Sequence, residues 1–220
     1  MAQITWIGGW GVNPERLRPL ALSLWPDANH AFLAPVRGAA EAAADSADVV
    51  AWSLGALRVL DAASRGVLFR GRVRLLAPFA AFCAEHDLGG RCSVAQVRWL
   101  RRWLQRDPGA ALGDFYQRAR LGGPPSRLPY AAEDLLEGLD VLARDASPAL
   151  REFVSRGLPE HWSALVGDGD PLLDASAVCR ALPGCRMMRG AGHACEELAA
   201  GLHPGAALVI PPPAPATGAA

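Results

Sequence analysis

Val49-Val50-Ala51-Trp52-Ser53-Leu54-Gly55 is an apolar run that ends abruptly in a serine, with a glycine two residues further on. A serine hydroxyl is a poor nucleophile at neutral pH. It becomes a good one when a base lies within hydrogen-bond reach and a carboxylate holds that base in the correct tautomer. Candidates for both lie downstream: Asp170 in Gly167-Asp168-Gly169-Asp170-Pro171, and His193 in Gly190-Ala191-Gly192-His193-Ala194. The small residues flanking His193 suit a close approach of backbone to a reacting group. Asp168 and Asp174 compete with Asp170 for the acidic role. Asp170 is preferred because it sits where a loop leaves the apolar run ending at Val166, whereas Asp168 reads as a turn cap.

The serine segment reads as a strand, a sharp turn and a helix start, the local form that lifts a serine hydroxyl above a sheet edge. The usual pattern is Gly-x-Ser-x-Gly, and here Ala51 takes the first glycine position. Alone, the pentapeptide is weak, since a helix-capping serine among small residues is common in an alanine-rich chain. The order Ser, then Asp, then His strengthens it, because α/β-hydrolases place their triads in that order. Acyl transfer also needs two backbone N–H groups aimed at developing negative charge, each worth roughly 3 kcal/mol of barrier. Leu54, after the serine, would supply one. Gly8-Gly9-Trp10-Gly11 has the backbone freedom to supply the other, at Trp10.

The elements that must position these groups alternate. Ile4 to Ile7, His30 to Leu33, Val49 to Trp52, Val73 to Leu76, Trp162 to Val166 and Cys185 to Met188 read as strands. Pro14 to Trp25 (with Asn13 as cap), Leu54 to Ala63 and Ala175 to Leu182 read as helices between them. Such alternation implies an α/β fold with a mostly parallel sheet, and ligands then gather at the carboxyl ends of its strands. Residues 79–159 break the alternation and read as helix throughout: Ser93 to Arg106, Pro108 to Arg120, Ala131 to Arg144 and Pro148 to Arg156. The expected organisation is a core of residues 1–78 and 160–205, an all-helical cap of residues 79–159 over the catalytic edge, and a Pro/Ala-rich tail, 206–220, expected to be disordered.

The helix from Ser93 carries Arg98, Arg102 and Arg106 on one stripe, with Arg101 adjoining and Val94, Val97, Leu100 and Leu104 opposite. Arg118, Arg120 and Arg127 follow. A charge run is commonly a solvated face; clustered arginines can also grip carboxylates and phosphates in bidentate fashion. Phe79, Phe82, Phe115 and Tyr116 could line an apolar tunnel or serve as core. Trp99 and Trp103 share another face of the arginine helix and could do either.

Composition bounds the class. The 220 residues carry no net charge, which argues against general nucleic-acid binding, and every basic side chain is an arginine. The apolar stretches are shorter than the roughly 20 residues a membrane helix needs, and the first residues do not read as a signal peptide. Five cysteines without a Cys-x-x-Cys spacing suggest neither a disulfide framework nor a zinc site. A cytoplasmic, monomeric protein without metal or cofactor is the expectation.

Several segments together resemble one family. Gly8-Gly9-Trp10-Gly11-Val12-Asn13 is similar to the His-Gly-Trp-Gly-x-Asn segment of the pimeloyl-[acyl-carrier-protein] methyl ester esterases, an α/β-hydrolase branch of biotin synthesis. Trp52-Ser53-Leu54-Gly55 resembles that family's elbow, and Gly138-Leu139-Asp140-Val141-Leu142 ahead of Asp145 its cap segment. The resemblance implies hydrolysis of the methyl ester of pimeloyl-carrier protein by Ser53, His193 and Asp170, with Trp10 and Leu54 as oxyanion donors. It also implies cap arginines, drawn from Arg98, Arg101, Arg102 and Arg106, that engage the acidic carrier protein. Gly8, Ala51 and Ala56 depart from the family's usual residues, and the family's first two strands have no counterpart before Ile4. A generalist short-chain carboxylesterase and a non-catalytic binding protein of the same fold are the rival readings.

Overall fold

The computed structural model describes residues 2–202. Six strands form one sheet in the order β2-β1-β3-β4-β5-β6: β1 (Gln3–Ile7), β2 (Asn29–Leu33), β3 (Asp48–Trp52), β4 (Arg72–Leu76), β5 (Trp162–Gly167) and β6 (Cys185–Met188). Every pairing between them is parallel. The central strand β3 is buried along its whole length, as an apolar run covered on both faces must be. The expected tail, 206–220, lies outside the described residues, as does the end of the expected core.

Between the strands lie α1 (Arg18–Leu24), α2 (Ala39–Ala43), α3 (Leu54–Ser64) and, later, α8 (Ala175–Ala181), while α9 (Cys195–Ala199) follows the last strand. The helix expected from Pro14 is a 3-10 turn, Pro14–Leu17, capped by Asn13, that runs into α1. The two shortest, α2 and α9, were not legible: five residues each, rich in alanine or charge, show no helical period.

The insertion after β4 carries α4 (Val94–Arg106), α5 (Pro108–Ala119), α6 (Ala132–Leu142) and α7 (Pro148–Ser155). Their starts follow local chemistry. Ser93 and Gln96 form a reciprocal capping box on α4, Asp107 caps α5 ahead of Pro108, and Ser147 caps α7 ahead of Pro148. Two features depart from an all-helical cap lying wholly over the catalytic edge. The start of the insertion holds a 3-10 turn at Ala84–His86 and a bridge pairing Cys83 with Cys92, and a second bridge, Gly90 with Leu173, ties it to the core. The last helix, α7, buries Leu150 and Val154 and packs against α3, on the flank of the core.

This fold is an α/β-hydrolase fold. Its parallel strands all end at one edge, so the loops after β1, β3, β5 and β6 meet there. Those four loops carry Trp10, Ser53, Asp170 and His193 respectively.

Candidate active site

Ser53 follows β3 directly and stands at the N-terminus of α3 with φ 55° and ψ −117°. A β-carbon makes this left-handed backbone costly, of order 1–3 kcal/mol, and such strain persists where packing over-determines it. Here the Ser53 N–H donates to the Leu76 carbonyl at 2.9 Å, which pins the turn to β4. Gly55 is required by close approach: a β-carbon there would stand 2.6 Å from the Ile7 carbonyl oxygen and 2.7 Å from that of Gly8. Ala51, at the first glycine position of the usual pattern, is fully buried in β3.

His193 Nε2 lies 2.9 Å from Ser53 Oγ, and His193 Nδ1 lies 2.7 Å from Asp170 Oδ2. The second carboxylate oxygen of Asp170 accepts from the Leu172 and Leu173 N–H groups at 2.8 and 3.0 Å. Asp170 and His193 are essentially removed from solvent, and Ser53 is nearly so. A carboxylate with both oxygens occupied in this way cannot rotate, so it fixes the imidazole with its proton on Nδ1 and a lone pair facing the serine. The competing acids have other work. Asp168 accepts from the Gly190 N–H at 2.7 Å, bracing the histidine loop, and Asp174 caps α8.

The histidine loop is held from three sides. Gly167 admits it, since a β-carbon there would collide with the Ala191 carbonyl at 2.1 Å. Glu197 accepts from the Gly192 N–H. The Trp52 indole N–H donates to the His193 carbonyl at 2.8 Å, and the same ring packs against Gly9, where a β-carbon would lie 3.1 Å from it. Trp52 therefore touches both loops that flank the serine, a role its place in the elbow did not reveal.

The Trp10 and Leu54 N–H groups have no acceptor among the described residues. Both belong to segments at the sheet edge beside Ser53, and free donors there can receive a developing oxyanion. Tyr130 was missed by sequence reasoning; its hydroxyl accepts from the Gly11 N–H at 2.9 Å. It lies in a loop of the insertion and carries no local signal of that role. Among the cap-segment residues, Gly138 of α6 packs where a β-carbon would stand 2.6 Å from the Trp10 ring and 3.1 Å from Leu54.

A small apolar crevice, with about 40 Å³ open to a water-sized sphere, lies between α4, α5 and α6. Its inner end is formed by Trp10 and Leu172, from the oxyanion and acid loops, and its outer end by Gln96, Trp99 and Arg118. Phe82 and Phe115 line it. Phe79 does not: it is buried beneath, with its ring 5.3 Å from that of Phe82, and belongs to the core. Among the α4 arginines, Arg101 pairs with Asp140 of α6 through two bonds of 2.7 and 3.2 Å, both side chains staying partly exposed. Arg98, Arg102 and Arg106 are exposed and have no acidic partner within 4.0 Å among the described residues. Arg118 pairs with Asp114 at 2.8 Å.

No protein-family model and no curated protein sequence matches the chain. Solved structures do resemble it. An esterase from Exiguobacterium antarcticum superimposes with a TM-score of 0.65 at 12% identity, covering 88% of this chain and 85% of that one. A thermophilic esterase from Thermogutta terrifontis gives 0.61 at 14% identity, covering 88% and 83%. A hydrolase from Pseudomonas aeruginosa gives 0.62 at 14% identity, covering 91% and 84%. At these identities the likeness concerns the fold.

Proposed function

We propose that this protein is a serine carboxylic ester hydrolase whose substrate is the methyl ester of a pimeloyl chain carried by an acyl-carrier protein. The observation that carries the hydrolase reading is the hydrogen-bonded chain from Ser53 Oγ through His193 to a fully buried Asp170. The esterase activity named for several structural neighbours agrees with it.

In this reading Ser53 Oγ attacks the ester carbonyl while His193 Nε2 takes its proton. The carbonyl oxygen becomes an oxyanion facing the Trp10 and Leu54 N–H groups. Collapse of the tetrahedral adduct expels methanol, which leaves with the proton from His193, and an acyl-Ser53 remains. A water molecule, deprotonated by the same Nε2, attacks the acyl carbonyl. A second collapse returns the proton to Ser53 Oγ and frees the carboxylic acid. Asp170 stabilises the imidazolium formed in both halves by accepting its Nδ1–H.

The substrate rests on two supports: the resemblance of the Trp10 and Gly138 segments, and the exposed arginines of α4 close to the outer end of an apolar crevice. Arg98, Arg102 and Arg106 are the residues assigned to an acidic carrier protein, and Arg101 leaves that group because Asp140 already holds it. The neighbours named simply as esterases favour a second reading, a generalist acting on short acyl esters.

The test is methyl-ester cleavage of pimeloyl-carrier protein beside a short p-nitrophenyl ester, with Ser53→Ala as control and fluorophosphonate labelling of Ser53. Cleavage of the carrier-bound ester that vanishes in Ser53→Ala is the expected result. Turnover of the small ester alone moves the protein to the generalist reading. Neither turnover nor labelling sinks the esterase reading and leaves a binding protein.

A further inference from the structure

The turn that would supply one oxyanion donor is tied to the sheet only at its start, by the Gly8 N–H to the Leu33 carbonyl at 3.0 Å and by the Trp52 ring against Gly9. Gly8, Gly9 and Gly11 surround Trp10, and the bond that closes the turn, Val12 N–H to the Gly9 carbonyl, is long at 3.4 Å. Glycine gives such a segment many accessible conformations, whereas an oxyanion donor must be placed to a few tenths of an ångström.

The constraint on Trp10 and Gly11 comes from the insertion, which bonds the main chain of Gly11 and packs on the side chain of Trp10. The Tyr130 hydroxyl accepts from the Gly11 N–H at 2.9 Å, and the Tyr116 hydroxyl of α5 donates to the Gly11 carbonyl at 3.1 Å. The Trp10 indole N–H donates to the Leu135 carbonyl of α6 at 2.8 Å. The Trp10 ring is wedged between Phe115, edge-on at 4.7 Å, and the bare backbone of Gly138. Every one of these partners lies between β4 and β5. None belongs to the sheet that carries Ser53. Burial pushes both phenols above their ordinary range, so both remain hydroxyls at any pH at which the protein would work.

We propose that the insertion is a positioning element of the oxyanion hole: Tyr130, Tyr116 and the Leu135 carbonyl fix the Gly9–Gly11 turn so that the Trp10 N–H faces the oxyanion. The inference rests on the esterase reading of Ser53. Its consequence is that the insertion acts on the chemical step of every ester, including one too small to touch the crevice.

The experiment measures kcat and KM for p-nitrophenyl acetate, and inhibition by an aryl trifluoromethyl ketone, in Tyr130→Phe, Tyr116→Phe and the double variant. The ketone forms a tetrahedral oxyanion on the serine, so it reports the hole directly. Losing one such donor outright costs about 10²–10³ in kcat, and a donor left in place but loosened is expected to cost about tenfold. Tyr130→Phe should thus lower kcat about tenfold with KM within about twofold, and weaken ketone inhibition by the same factor as kcat. Tyr116→Phe strands only a carbonyl lone pair and keeps the fold, so it decides the matter should Tyr130→Phe fail to fold. Full kcat in folded variants, or a change confined to KM, overturns the coupling. Wild-type protein that neither turns over the ester nor is labelled at Ser53 overturns the esterase reading itself.

Discussion

At the scale of single residues, the site separates groups that would react from groups that hold them. Asp170 and Asp168 make the clearest contrast, being two positions apart in one loop. Asp170→Asn keeps the shape but offers an amide where the imidazole N–H needs an acceptor, and kcat should fall about 10⁴-fold. Asp168→Ala removes only the brace on Gly190, and kcat should stay within about threefold in the same assay. Ser53 supplies a second prediction, because its backbone is strained at φ 55°. Ser53→Gly should be more stable than Ser53→Ala by about 1–2 kcal/mol in denaturant melts, both being inactive, since only glycine accepts that conformation freely. Cys92 lines the crevice, and burial pushes its thiol up to about 11. The thiolate is the reactive form, so alkylation by iodoacetamide should be slow at pH 8 and still be rising about tenfold per pH unit at pH 9–10.

Between elements, two glycines set distances that nothing else could. Gly55 lets α3 start against the end of β1, and Gly138 lets α6 lie on the Trp10 ring. The obstacle at Gly55 is main-chain carbonyl oxygen, which cannot swing away. Gly55→Ala should therefore cost about 2–3 kcal/mol in urea unfolding, at the upper end for one inserted methyl. At the opposite edge of the sheet, Asp48 of β3 is buried and accepts from Arg72 at 3.0 and 3.1 Å and from Arg74 at 2.6 Å, both on β4. Far from the site, this pair ties the strand that carries Ser53 to its neighbour, and Asp48→Ala should destabilise by about 3 kcal/mol while leaving KM unchanged.

For the whole molecule, charge distribution is the informative quantity. Net charge is zero, and most of the sheet-side arginines are paired, among them Arg58 with Glu137 and Arg65 with Glu41 and Asp61. Against that background the exposed stripe of Arg98, Arg102 and Arg106 is a local excess of positive potential beside the crevice's outer end. Steering by such a stripe is screened over about 8 Å at physiological salt. Replacing the three with glutamate should leave kcat/KM on p-nitrophenyl acetate within about twofold. On a carrier-bound ester it should lower kcat/KM at least tenfold and abolish its salt dependence.

Much of this protein was legible in its sequence because the signals are local. Strand-ending apolar runs, proline and serine at helix starts, and a serine between small residues all report backbone constraints acting over a few residues. The order of Ser53, Asp170 and His193 could be read the same way. What only the tertiary structure decided concerns groups brought together across the chain. Sequence position favours Asp170 over Asp168, but the contact of its carboxylate with the imidazole 23 residues on is seen only in the fold. Arg101 reads as one more exposed cation until Asp140, on another helix, is found holding it. Tyr130 is 119 residues from Gly11, and no periodicity or cap connects a hydroxyl in one loop with an N–H in another. Such contacts follow from how helices pack on a sheet, and side-chain pattern along the chain does not encode that geometry until the chain has folded.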